Sequence, residues 1–207
     1  MNSRIAIAVA AVLLVAGGAA LWALYRPFSP GAEAPVQVIQ PPAGAPAAPD
    51  PAQAVRIVRV ECRQGTCQWA RVVSVTPLAA AEDGELRRLT YRPGSSMDDG
   101  SDPAADGGSG IDWEASDRQD YAFCSTARPA FAFPDPSAGG DSALLVHRLD
   151  LFNLAGYQSG SAILYALTCH DLAMDGANGP AFHDLGYRPG TPNDQTRAAS
   201  PEDLLRL

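Results

Sequence analysis

The residues best equipped for chemistry gather in the last third of the chain. Between Tyr165 and Gly190 the triplet Cys169-His170-Asp171 and the pair His183-Asp184 supply a thiol, two imidazoles and two carboxylates, with His147 and Asp150 upstream. Such groups can ligate a metal, shuttle protons or, through a thiolate, attack an electrophile. Their spacing argues for none of these. Neighbours in a strand or helix point in different directions, so His-Asp adjacency alone puts no carboxylate behind an imidazole. The patterns H-E-x-x-H, G-x-S-x-G, G-x-G-x-x-G and C-x-x-C-H are all absent. His170 falls where a helix would end, a position the macrodipole favours without any further role, and His183 falls in a loop. The expectation is no catalytic, cofactor-binding or metal residue, with His170, Asp171, His183 and Asp184 as bystanders. The competing reading is a hydrolase or metal-dependent enzyme built from them.

The four cysteines are Cys62, Cys67, Cys124 and Cys169. Zinc would need two close thiolate pairs, and only C-x4-C is close. Behind a hydrophobic amino terminus, an even number of cysteines predicts disulfides and an oxidising compartment. A hairpin around Gly65 would set Cys62 opposite Cys67, which leaves Cys124 for Cys169.

Composition closes other classes. The fifteen basic residues are all arginine, which removes Schiff-base lysines, a phosphate-loop lysine and Ser-Lys pairs. A net charge of -8 and a pI near 4.7 argue against a nucleic-acid binder. The acidic stretch after Met97 is rich in oxygen ligands, but an EF-hand loop fits it neither from Asp98 nor from Asp102.

These residues must be positioned by a domain behind a membrane segment. Ile5 to Tyr25 is an unbroken apolar run that spans about 31 Å as a helix, enough to cross a bilayer core of about 30 Å. Residues 1–26 are therefore expected to be an uncleaved anchor, although Gly18-Ala19-Ala20 offers small residues for signal cleavage and a secreted product. Residues 27–53 form a Pro/Ala-rich linker, and 54–190 the globular domain, interrupted by a flexible acidic loop at about 95–120. Residues 191–207 are expected to be a tail.

Within the domain, Val58, Val60 and Cys62 alternate with Arg59, Glu61 and Arg63, the period of a half-buried strand. Trp69, Val73 and Val75 continue it after a connection over Arg63–Thr66. A third strand covers about Glu85 to Arg92, with further strands in YAFCSTARPAFAF and ALLVHRLDLF. The Ala-rich SGSAILYALTC predicts a helix capped by Ser161. The fold expected is α+β, a small β-rich disulfide-stapled domain with one C-terminal helix, the alternative being an all-β sandwich or barrel.

One near-repeat stands out, LTYRPGSSMD from Leu89 and LGYRPGTPND from Leu185. Pro-Gly favours turns, so the repeat reads as recurring turn chemistry. Alternatively, Tyr91, Arg92, Tyr187 and Arg188 are two related loops offered to one partner. The function expected by elimination is a binding or scaffolding module without a cofactor, anchored in a bacterial inner membrane. Its domain would lie in the periplasm, with another envelope protein as partner.

Overall fold

The computed structural model describes residues 56–138, 143–173 and 179–207, together with Gln37 and Val38. The expected membrane segment lies outside the described residues, as does the linker apart from Gln37 and Val38. Among the described residues no helix is long and apolar enough to cross a membrane.

The domain is built on one antiparallel sheet. Its strands are β1 (Gln37–Val38), β2 (Arg56–Arg63), β3 (Thr66–Ala81), β4 (Gly84–Met97), β5 (Asp112–Trp113), β6 (Arg118–Cys124), β7 (Ala130–Pro134), β8 (Leu144–Arg148) and β9 (Asp194–Ala198). The order is β1-β3-β4-β6-β7-β8-β9, with β2 also on β3 and β5 also on β4. Among the described residues no ladder joins β9 back to β2 or β3. Among the described residues two α-helices accompany it, α1 (Ser159–His170) and α2 (Gly179–Asp184), with 3-10 helices at Gly156–Gln158 and Pro201–Arg206. The result is a mostly antiparallel β domain with a few helices and two disulfides.

The β2–β3 hairpin is tighter than expected. Arg63 and Thr66 pair with each other, so the connection is only Gln64 and Gly65, both with positive φ (52° and 80°). Two successive left-handed residues give the turn whose twist matches the strands. Cys62 lies opposite Cys67 in the ladder and the two are joined.

The YRPG repeat adopts two unrelated structures, so the shared sequence does not mark a common turn. In the first copy Pro93 and Gly94 lie inside β4, opposite Ala70 and Trp69 of β3. A Cβ at Gly94 would come within 2.6 Å of Ile111 Cγ2 and of Trp113 Cε3, so glycine is what allows β5 to cross there. The second copy is irregular and bends at Pro189, with Gly190 at φ 91° donating its N–H to Asp150 Oδ2 at 2.9 Å. Tyr91 and Tyr187 are both buried in one core, and Arg92 and Arg188 lie nearer the surface. Identical local chemistry is overridden here by strand pairing with β3.

The acidic excursion leaves from a strand and carries β5 within it. β4 extends to Met97, which is exposed, and the glycines at 100, 107, 108 and 110 turn the chain with positive φ. Ile111 and Trp113 then pack with Cys67 and Trp69 in a small core of their own.

Alternation along the strands gives the sheet two apolar faces. On one, Leu89, Tyr91, Ala122 and Phe131 meet α1, whose residues Ser161 to Thr168 are all buried. The helix starts earlier than expected, with Gln158 as its N-cap, and Ser161 is an interior residue, not the cap. On the other face, Leu86, Phe123, Ala130, Ala132 and Val146 meet Leu204 and Leu205. Residues 191–207 are thus no tail, because β9 completes the sheet and the 3-10 helix covers this second core. Replacing Leu204, which is fully buried, by alanine is expected to lower stability by about 2 to 5 kcal/mol in urea unfolding. A loss within about 0.5 kcal/mol, typical of surface positions, would return this segment to a dispensable tail.

Candidate functional site

Two grooves flank α1, one at each end. The groove at its amino-terminal turn has a volume of about 390 Å³ and lies between Gly160, Ser161 and Leu164 of the helix and side chains of the sheet. Glu61, Gln68, Arg118 and Asp120 supply its polar groups, and Phe131, Phe133 and Leu164 its apolar wall, with the exposed Tyr157 at the rim. Phe133 and Tyr157 each pack edge to face on His147, at 5.1 and 5.3 Å between centroids.

Asp120 is the unusual member. It is 2 % exposed, its Oδ2 accepts the Tyr91 hydroxyl at 2.8 Å, and its Oδ1 is buried without a hydrogen-bond partner. Burial pushes its carboxyl up to about 6, against the opposing pull of the Tyr91 hydrogen bond and the Arg118 charge. The same burial, with Asp120 alongside, raises the Tyr91 phenol far above its ordinary value. A buried carboxyl with one oxygen unsatisfied, in a concave site, is a recognised mark of a functional position.

His147 lies 2.9 Å from Ser161 Oγ through Nδ1 and 3.2 Å from Gln195 Oε1 through Nε2. Burial holds its imidazole below the ordinary value, so it is the neutral form that packs here. A serine–histidine pair suggests nucleophilic attack, but the far nitrogen faces an amide where activation would want a carboxylate. Gln158 secures this end of the helix: it is fully buried, donates to Arg148 O at 3.0 Å and accepts from Ala155 N at 3.1 Å.

The groove at the other end of α1, about 500 Å³, is lined by Val75, Pro77, Glu85, Arg87 and the helix end from Leu167 to Asp171. Here Cys169 is bonded to Cys124. His170 Nε2 lies 2.6 Å from the Tyr187 hydroxyl, which lies 2.9 Å from that of Tyr165, and Tyr165 donates to Ser125 O at 3.2 Å. Burial, and then the Arg87 guanidinium, hold His170 below its ordinary value, so its setting outweighs the macrodipole. Burial raises both phenols, Tyr187 to about 12 and Tyr165 well above its ordinary value. Arg87 also donates to the carbonyls of Thr168 and Cys169, at 3.2 and 3.4 Å, closing the helix end. Asp171 takes a left-handed conformation (φ 58°) as the C-cap and is ion-paired to Arg56. This network joins helix, sheet and the Tyr187 turn, with every hydroxyl engaged.

The structure therefore separates the residues that chain order brought together. His147 lines one groove and His170 the other, while His183 and Asp184 are exposed on α2 and lie 3.6 Å apart. Asp150 is committed to backbone N–H groups of Phe152 and Gly190. Arg92 is paired with Asp117 at 2.8 Å, and Arg188 donates to its neighbour's carbonyl. Among the described residues the one trio close enough to hold a metal is Cys62, Cys67 and Asp98, and both of its sulfurs are taken up in their disulfide. Asp120 escaped attention because it borders the acidic stretch. The signal that could have found it is its phase with Ala122 in β6, which puts a carboxylate at an inward strand position.

No protein-family model matches the chain, and no curated protein or solved structure matches it either. The reading of the site rests on its own geometry.

Two outcomes follow from that geometry. The folded Asp120 carboxyl holds its proton more tightly than the unfolded one, so ionisation opposes folding. Its stabilising contribution is complete below about pH 4 and is lost as pH rises through about 6, by on the order of 2 to 3 kcal/mol. Asp120→Asn should flatten that part of the stability profile and unfold at higher urea than the parent at neutral pH; parallel profiles would refute the assignment. Replacing Cys124 and Cys169 together by serine should cost about 2 to 5 kcal/mol. Non-reducing peptide mapping of the parent should recover the two cysteines in one linked peptide pair, and an alkylated Cys169 would contradict it.

Proposed function

We propose that this chain is a binding module tethered to the outer side of a bacterial inner membrane, and that its ligand occupies the groove at the amino-terminal turn of α1. The apolar run from Ile5 to Tyr25 supports the anchor, and two disulfides among the described residues fit an oxidising compartment. The observation that carries the choice of groove is the Asp120 oxygen left buried and unpaired beside an aromatic wall, since a native fold ordinarily satisfies such a group. Binding is preferred to catalysis because Ser161 is nearly buried and its histidine lacks an acidic partner. The enzyme alternative built on His170, Asp171, His183 and Asp184 has less to support it, because the His183 side chain is exposed and His170 is held by Tyr187.

The test uses the full chain in its native membrane. A photoreactive phenylalanine analogue at Tyr157, on the groove rim, should capture a discrete envelope component, whereas the same analogue at exposed Met97 should not. Equal capture at both positions, or none at Tyr157, would refute the groove as the binding site. Release of the chain by alkaline carbonate, or an amino terminus beginning after Ala20, would refute the anchor.

A further inference from the structure

We infer that the ligand of this groove is a neutral saccharide, held by hydrogen bonds from its hydroxyls to Asp120 and by contact of its C–H face with the Phe133–His147–Tyr157 aromatic wall. The inference rests on the proposal that the groove is the binding site, and deepens it to a chemical class. The charges in the groove are matched pairwise. Glu61 is bonded to Arg63 at 2.8 Å, and Arg118 lies between Glu114, at 3.4 Å, and the Tyr91–Asp120 pair, whose carboxyl it stabilises as an anion. No large excess of either sign is left to select an ion. Lining the groove with Asp120 are Tyr91 of β4, Arg118 of β6, Glu61 of β2 and His147 of β8.

A wholly apolar ligand fits no better. It would leave the already buried Asp120 oxygen without a donor, and a buried acceptor in that state costs about 1 to 3 kcal/mol. The ligand must bring hydroxyl or amide donors to Asp120 and Glu61, and acceptors to Arg118 and Gln68, without net charge. It must also present an apolar face to Tyr157, which is half exposed at the rim, and to Phe133 beside it. Weak C–H contacts with an aromatic ring reward such a face. A pyranose ring combines these properties, having hydroxyls around its edge and C–H groups on its flat side. The groove's volume of about 390 Å³ is in the range of small-ligand sites, ~300 to 1,000 Å³.

The full chain, reconstituted in lipid nanodiscs so that no glycoside detergent is present, is titrated with four probes by calorimetry and saturation-transfer NMR. The probes are chitotetraose, maltotetraose, tetramethylammonium and indole. At least one saccharide is expected to bind, with the largest saturation transfer to its ring C–H protons. Tyr157→Ala, at an exposed position that leaves the core intact, and Asp120→Asn are each expected to weaken it about tenfold. Binding of indole or tetramethylammonium with neither saccharide bound would overturn the saccharide class while leaving the groove in place. Saccharide binding unaffected by Tyr157→Ala would place the sugar elsewhere and overturn the inference. Silence from all four probes also overturns it, and the photocapture at Tyr157 then decides separately whether the groove binds anything.

Discussion

The packing of α1 against one face of the sheet is the constraint on which the rest of the structure depends. From Ser161 to Thr168 the helix has no solvent face, so it cannot be stabilised by amphipathicity alone and must be enclosed on every side. β2, β4, β6 and β7 enclose it from below, and Phe182 and Tyr187 join the same core. Burial of this kind forces each polar group on the helix to find a partner. Thr168 bonds back to Leu164 O at 2.7 Å, Ser161 meets His147, and Tyr165, fully buried, shares its hydroxyl between Ser125 and Tyr187. The helix ends are pinned differently: at one, Gln158 ties the backbone to β8, and at the other the Cys124–Cys169 bond ties it covalently to β6.

Both grooves arise from this arrangement. Side chains of β2, β3, β4, β6, β7 and β8 line the groove at the helix's amino terminus, and those of β3 and β4 the groove at its carboxy terminus. The second groove is the more structural of the two, since its histidine, tyrosines and arginine all bond to one another or to the helix end. In the first, the hydrogen-bond accounting does not close, and the shortfall is concentrated on a single oxygen of Asp120.

What could be read in the sequence was what local spacing encodes. Cys62, Gly65 and Cys67 specify a tight hairpin almost by themselves, and pairing them leaves Cys124 with Cys169. The Ala-rich run from Ser159 was legible as a helix, but not its N-cap, because Gln158 acts through carbonyls of residues distant in the chain. Tyr91-Arg92-Pro93-Gly94 defeated a turn reading because the long β3 supplies it with a strand partner, a non-local term that no four-residue pattern contains. Leu204 and Leu205 looked like an end of chain because the face they cover is assembled from β3, β4, β6, β7, β8 and β9. The clustered histidines drew attention through adjacency, which in a folded chain is weak evidence of proximity.

Asp120 shows why the site was the least legible part. As a sequence feature it is one aspartate among many, at the margin of a solvated stretch. Only when β6 is paired to β4 does it acquire Tyr91 as a neighbour, and only in the folded domain does it lose water. Those two events raise its proton affinity and leave one oxygen bare, so the fold carries a destabilising group at the floor of its groove. An uncharged residue of similar size would fill the same space without that penalty, as far as folding alone is concerned. The carboxylate therefore makes best sense as a group whose second partner is supplied from outside the chain. A ligand hydroxyl would then relieve at binding a deficit incurred at folding, and the affinity gained would draw on the stability given up.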